Sequence, residues 1–372
     1  MEFRIDSSDL TDAVAWAARV LPARSPVPVL GGLLLEARDG RLRVSGLDYE
    51  ASARIEVEAE TVREGKALVL GRRLLDICKV LPRGPVEGAI EGARLSVTGG
   101  DARFGLSLLP LDDYPAQPGL PAFRGVVDAE AFAAAVGQVA VAAGRDDSLP
   151  VLTGIRLALD GTKMTLAATD RYRYAVRALE WKPEGGDEAA VADDGGADVV
   201  VPARRLVEIA RSLTSAGPVR LALDGGSIGF ESDGTRTTTR LLDGRLPRHD
   251  KLFSLGEHAV AVTERAPLVE AVKRVAVVAE GDSPVQLAFT GDAVHLQAGY
   301  EDDVASQRLP ASLDGAEAMT VAFNPGYLLD ALGSFGTDTV RFQLLGPGQR
   351  ALITDRADGV HQHLLMSVKP LV

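Results

Sequence analysis

A chain of 372 residues exceeds what one ordinary core accommodates and predicts two or three domains. Its 46% hydrophobic and 25% charged content is that of a soluble globular protein, and no apolar run reaches the roughly 18 to 20 residues that span a bilayer. A net charge of −12 argues against a surface that clings to DNA everywhere, yet leaves room for a local basic face.

The N-terminus, MEFRIDSSDL, has no basic leader followed by an apolar stretch, so no signal peptide is expected. The lone cysteine, Cys78, fits a reducing cytoplasm, and its place among apolar helical positions predicts a buried structural thiol. Residues 12–37, DAVAWAARVLPARSPVPVLGGLLLEA, align without a gap with residues 134–159, AAVGQVAVAAGRDDSLPVLTGIRLAL. A weaker third copy starts at residue 270 with EAVKRVAVVAEGDSPVQLAF. The downstream halves repeat as well. RRLLDICKVL (72–81), RRLVEIARSL (204–213) and GYLLDALGSF (326–335) share apolar positions at helical spacing, each followed by short alternating strands. The chain therefore reads as α+β: three tandem copies of one domain, each with two helices packed on antiparallel sheets. Pro-rich linkers put the boundaries at 1–121, 122–252 and 253–372. Residues 181–199, with one lysine against six acidic residues, break the repeat and predict a mobile surface loop.

Two helices carry a basic face. Arg72, Arg73, Asp76 and Lys79 share the spacing of Arg204, Arg205, Glu208 and Arg211, which places each set opposite the apolar stripe. The third copy lacks this pattern. Such charges suit a sliding contact with phosphates better than base reading. The stretch AATDRYRYAV (167–176) interleaves Arg171 and Arg173 with Tyr172 and Tyr174, as a base-stacking platform would. It occupies the repeat slot of SGLDYEASAR (45–54) and QAGYEDDVAS (297–306), so only the middle copy is dressed in this way.

Nothing in the chain marks catalysis. His361 and His363 lie two apart in a predicted strand, without further ligands at metal-binding spacing, and are expected to be exposed strand residues. GPG (346–348) is a turn, because no phosphate-loop pattern accompanies it. No cofactor, metal or catalytic residue is expected. The readings that remain from the residues alone are a non-topological nucleic-acid binder using residues 171–174 and a hydrolase with an unmarked carboxylate pair.

The repeats, together with RSPVPVLGGLLLE, LPVLTGI, ATDRYRYAV, DGRLP, FNPGYLLDAL and HLLMSVKPLV, resemble the bacterial DNA polymerase III β subunit family, the processivity sliding clamps. The resemblance covers the whole chain. It implies a three-domain crescent that closes head to tail into a homodimeric ring around duplex DNA, bound without regard to sequence. Implied partners are the DNA polymerase III catalytic subunit, a clamp loader and other proteins with a clamp-binding motif; no membrane is involved.

The resemblance also carries over a hydrophobic peptide pocket. Its residues here are Leu152, Thr169, Arg171, Tyr172, Arg173, Tyr174, Pro247, Lys251, Leu252, Arg350, Leu364, Met366, Ser367 and Val368. On this reading the Arg-Tyr stretch is a groove wall, and DNA belongs to Arg24, Arg72, Arg73, Arg204, Arg205 and Arg211. The implied dimer interface comprises Arg103, Phe104 and Leu106 against Val277, Val278, Glu301, Asp302 and Asp303. Departures from the family pattern are Arg171-Tyr172, where Gly-His is frequent, and Met366-Ser367-Val368-Lys369, where Met-Pro-Met-Arg is frequent. Asp146, Pro150 and Val151 stand where some relatives have polar or aromatic residues that touch DNA, which implies a weaker contact there.

Overall fold

The computed structural model describes residues 1–22, 27–185, 196–213, 217–279, 283–300, 303–356 and 359–369. Seven α-helices occur among these: α1 (Ser7–Ala18), α2 (Gly71–Val80), α3 (Ala129–Ala140), α4 (Ala203–Leu213), α5 (Asp250–Phe253), α6 (Arg265–Val275) and α7 (Pro325–Ser334). Apart from the short α5, they fall in pairs, two to each sequence repeat. Local chemistry starts them. The Asp6 carboxylate accepts from Ser8 N at 2.8 Å to cap α1. Asn324 Oδ1 accepts from Tyr327 N at 3.1 Å, with Pro325 in the first turn, to cap α7. In α1, Leu10, Ala13, Val14 and Ala17 repeat at helical spacing and are buried.

The chain divides into two compact units, residues Met1–Ala129 with Ser212–Leu241, and Glu130–Arg211 with Leu242–Val372. The second repeat is shared between them because its strands extend the sheets of both neighbours. In the first unit, a five-stranded antiparallel sheet runs Glu60–Arg63, Glu2–Asp6, Pro85–Glu91, Arg94–Gly99, Ala102–Ser107. A second sheet includes Val219–Leu223, Ser227–Ser232, Thr235–Arg240, Ala51–Glu58, Arg41–Leu47, Gly32–Arg38 and Gly65–Leu70, in that order. Its junction pairs Thr235 with Ile55 and Thr239 with Ala51, and the buried hydroxyls of Ser52 and Thr238 meet there at 2.6 Å. Alternate residues of both sheets join α1 and α2 in one core containing Phe3, Leu35, Val44, Leu10, Leu74 and Cys78. Burial pushes the Cys78 thiol up to about 12, so it is the inert structural thiol expected.

The second unit holds a twelve-stranded sheet. Its order begins Asp198–Pro202, Gly154–Asp160, Lys163–Thr169, Arg173–Glu180, and continues with His361–Met366, Arg350–Thr354, Thr339–Leu344 and Ala259–Glu264. The long strand Asp303–Asp314 follows. Its end, Ala311–Asp314, pairs with Val260–Thr263, and Asp303–Pro310 pairs with Ala293–Tyr300. Leu268, Val272, Leu328 and Leu332 from α6 and α7 fill the core beneath.

Two expectations need correction. His361 and His363 are not exposed: they are 1% and 0% exposed. The period of two places both on one strand face, but that face is covered. Ser334 at the end of α7 lies 2.8 Å from His361 Nε2, Val176 O lies 3.2 Å from its Nδ1, and the Phe335 ring is 4.5 Å away. The segment 181–199 is also not a loop throughout. Trp181 is buried and donates its indole N–H to Gly161 O at 2.9 Å, and Asp198 begins a strand. Residues 186–195 lie outside the described residues.

The buried histidines make stability acid-sensitive. Burial lowers the His361 pKa from 6.5 to about 4, and that of His363 well below 6.5. Because the folded pKa is depressed, the stabilisation is complete above about pH 6.5 and is lost as pH falls toward about 4. For His361 alone the loss amounts to roughly 3 kcal/mol. Urea unfolding across that range should show the decline, and His363→Leu should flatten it; a pH-independent midpoint would contradict the assignment.

Candidate functional site

The hairpin joining Lys163–Thr169 to Arg173–Glu180 is closed by an aspartate turn. Asp170 Oδ1 accepts from Tyr172 N and Arg173 N, both at 3.1 Å. Thr169 Oγ1 donates to Arg173 O at 2.7 Å and accepts from Arg171 N at 3.2 Å. These bonds hold Arg171 at φ +84°, left-handed backbone that normally favours glycine. The same aspartate turn closes the matching hairpin of the first repeat, where Asp48 Oδ1 accepts from Glu50 N and Ala51 N.

The C-terminal strand His361–Met366 inserts between this hairpin and Arg350–Thr354. Its register sets Leu364 beside Tyr174 and Leu352, and Met366 beside Arg350. Met366 N donates to Tyr172 O at 2.9 Å, and Val368 N donates to Ala322 O at 2.8 Å. Leu364 and Met366 share a face by strand alternation, opposite the buried histidines. On the Leu364 side, Tyr174, Val176, Leu352 and Leu364 form an apolar floor against Leu252, Phe253 and Leu255. Two bonds fix the covering segment. Tyr174 Oη donates to Pro247 O at 2.6 Å, and Arg350 Nη1 donates to Leu252 O at 3.0 Å. Burial pushes the Tyr174 phenol up to about 12, which keeps it a donor. His249 packs edge-on against Phe253, with burial lowering its pKa.

Beside this floor lies a cleft of about 540 Å³, lined by Arg145, Leu149, Leu152, Arg171, Tyr327 and Asp330 among others. Arg173, 4% exposed, forms its inner wall. Nε donates to Asp170 Oδ2 at 2.8 Å, Nη1 donates to Asp330 Oδ2 at 2.6 Å, and the guanidinium lies 4.4 Å from the centre of the Tyr327 ring. Tyr172, 61% exposed, stacks on Tyr327 at 6.3 Å.

The fourteen expected pocket residues thus divide by role. Arg171, Tyr172, Pro247, Lys251, Met366 and Val368 are exposed, and Leu152, Leu252 and Arg350 are half-buried. Thr169, Arg173, Tyr174, Leu364 and Ser367 are buried; apart from the floor side chains Tyr174 and Leu364, they shape the walls through hydrogen bonds. Ser367 Oγ, for example, donates to Gln349 O at 2.8 Å. Sequence reasoning missed Arg145, Asn324, Tyr327 and Asp330. Three of these lie in or beside FNPGYLLDAL, whose polar residues at helical spacing were the available signal.

The basic helix faces are present in part. Arg72, Arg73 and Lys79 on α2 are exposed, as are Arg204 and Arg211 on α4. Lys79 lies 3.8 Å from Asp76, and the half-buried Arg205 lies 3.5 Å from Glu208. Arg24 lies outside the described residues. In the third repeat, exposed Lys273 and Arg274 supply basic charge from α6 instead.

Of the expected interface residues, Arg103, Phe104 and Leu106 lie on Ala102–Ser107, a terminal strand of its sheet that pairs, among the described residues, with Arg94–Gly99. Leu106 is a core residue of that unit, 3% exposed, so only its backbone edge is available. Phe104 is half-buried, and Arg103 pairs with Glu91 at 2.5 Å. Val277 is 82% exposed, Val278 is half-buried and Asp303 is exposed. Glu301 and Asp302 lie outside the described residues. Among the described residues, Asp303–Pro310 carries a ladder on one side only, no cluster of potential metal ligands occurs, and no helix is long and apolar enough to cross a membrane.

Comparison with known proteins gives three consecutive family matches. The models describe the DNA polymerase III beta subunit N-terminal domain over residues 1–118, its central domain over 126–248 and its C-terminal domain over 251–369. The beta sliding clamp of Streptomyces coelicolor is 49% identical and covers 99% of both chains. A solved sliding clamp of Pseudomonas aeruginosa bound to griselimycin shares 26% identity with a TM-score of 0.92, covering 100% of both chains. A solved clamp of Bacillus subtilis has the same fold, with a TM-score of 0.92, 21% identity and 100% of both chains covered.

The Arg173 network is the part of the site most open to test. Arg173→Met strips two carboxylates of a buried partner and should cost about 3 kcal/mol. Asp330→Asn keeps an acceptor at a half-exposed position and should cost only about 1 kcal/mol. Thermal midpoints measure both; equal losses would show that the network is not centred on Arg173.

Proposed function

We propose a function from one premise: the chain belongs to the DNA polymerase III beta subunit family. It is a DNA sliding clamp, a non-catalytic processivity factor that encircles duplex DNA and tethers the replicative polymerase. The observation that carries this is three consecutive copies of one helix-and-sheet domain, matched in order over nearly the whole chain. The copies are read as domains 1–121, 122–252 and 253–372. A ring holds DNA by topology, so affinity need not come from sequence-reading contacts or from net positive charge.

Two chains close head to tail. Ala102–Ser107 of one and Asp303–Pro310 of the other each offer an unpaired strand edge, and joining them removes both edges. Phe104 and Val277 supply apolar contact beside that junction, with Val278, Arg103 and Asp303 around it. Arg72, Arg73, Arg204, Arg205 and Arg211 neutralise phosphates on the inner face, and Arg24 is assigned there with them. The groove of Leu152, Tyr172, Leu252, Leu364, Met366 and Val368 takes short linear peptides of the polymerase, the clamp loader and other partners. Its thioether and aliphatic side chains adapt to several sequences.

Sedimentation should give a dimer mass for the native chain at micromolar concentration and a monomer for Val277→Asp, whose side chain is too exposed to disturb the monomer fold. A native monomer would overturn the ring. Met366→Asp should weaken binding of the polymerase catalytic subunit roughly tenfold or more while leaving the dimer intact; loss of the dimer instead would misplace the groove.

A further inference from the structure

We infer that Arg54 and Arg236 form a binding site for one phosphate group, that of inorganic phosphate, diphosphate or a nucleotide, and that the bound anion fastens the seam between the first and second repeats. The first observation is register. The seam pairs Ala51–Ile55 with Thr235–Thr239, and Arg54 lies directly opposite Arg236. Like charges at directly opposed positions of an antiparallel pair repel. Both side chains are half-buried, so the repulsion is stronger than in open water. The other pairs of the seam, Thr235–Ile55, Thr237–Ala53, Thr238–Ser52 and Thr239–Ala51, contain no carboxylate.

The second observation is charge balance. Ion pairs run in one row across this sheet face. Lys66 and Arg43 share Glu36, Arg43 and Arg54 share Glu56, and Arg220 and Arg236 share Glu231. Five cations therefore face three carboxylates, a surplus of two positive charges in a chain of net charge −12. The cleft of about 470 Å³ at the Lys66 end has four basic and four acidic side chains in its lining, so no surplus arises there. It falls where Arg54 meets Arg236, beside Arg220. The Arg220 guanidinium is itself held 3.7 Å from the centre of the Phe123 ring.

The third observation is that the ladder does not need both arginines. Without Arg54, Glu56 keeps Arg43 at 2.9 Å; without Arg236, Glu231 keeps Arg220 at 3.4 Å. Two mutually repelling guanidinium groups that no carboxylate requires lack a shared counter-charge. A phosphate group supplies it. Its charge of about −1.5 to −2 at neutral pH matches the surplus, and its tetrahedral oxygens accept from both planar forks at once. Chloride brings a single charge and no such geometry. A nucleic-acid strand fits less well, because Glu36, Glu56 and Glu231 alternate with the cations along the row and would repel successive phosphates.

Titration calorimetry and thermal unfolding of the full-length protein test this, with inorganic phosphate, diphosphate or ATP added to a chloride buffer at constant ionic strength. Phosphate should bind the native protein, and at saturation should raise the thermal midpoint by about 3 °C. Arg54→Gln and Arg236→Gln should both lose that response and, in chloride alone, should melt no lower than the native protein. Arg41→Gln, in the neighbouring cleft, should keep it. Equal affinity for the three ligands identifies the phosphate group alone as what is recognised; tighter binding of diphosphate or of ATP identifies that ligand as its source. A native protein that does not respond to phosphate overturns the site, as does a response that survives in both Gln variants. Arg54→Gln and Arg236→Gln proteins that melt well below the native one in chloride would show that the pair stabilises the seam without an anion. An oligothymidylate that binds more tightly than phosphate, and loses affinity in Arg236→Gln, assigns the patch to nucleic acid instead.

Discussion

The antiparallel ladder between Arg173–Arg177 and His361–Leu365 is the contact on which the rest of the second unit depends. It stitches the last regular strand of the chain between the second and third repeats, so their strands become one sheet. Both faces of that strand are then in use. One buries His361, His363 and Leu365 against the end of α7, and the other presents Leu364 and Met366 to the groove. A slip of one residue would exchange these faces, putting two uncharged histidines into solvent and the groove side chains into the core. The buried polar groups thus also specify register: His361 meets Ser334, and Arg173 meets Asp330, only in the observed pairing.

The same construction recurs in the first unit, where Thr235–Thr239 pairs with Ala51–Ile55. Repeats joined through continuous sheets have few exposed edges. Among the described residues, Ala102–Ser107 and the first part of Asp303–Asp314, in the first and third repeats, each carry a ladder on one side only. Unpaired strand edges invite partners, and open edges in the first and last repeats are suited to joining a second copy of the chain head to tail.

Much of this was legible in the sequence because it is periodic. The three copies, their paired helices and the basic faces of α2 and α4 follow from spacing alone. Contacts distant in sequence were not legible. Nothing local announces that Arg173 pairs with Asp330, 157 residues away. Strand alternation placed His361 and His363 on one face correctly but could not say that α7 covers it. The family resemblance implies Leu106 at an interface, yet its side chain lies in its own core. The backbone of Arg171 was hidden too, apart from the hint that related chains often carry glycine there. The acidic composition misled least where it was local. Six of the acidic residues fall within 181–199, so net charge says little about the helix faces.

The central claim is that two such chains hold DNA by enclosing it. It is tested most directly by loading the protein onto nicked circular plasmid with its clamp loader and ATP, removing free protein, and measuring retention before and after a single restriction cut. Enclosure predicts stable retention on the circle and rapid loss from the linear molecule. Equal retention on both would contradict it and would mean that the basic helix faces grip DNA directly.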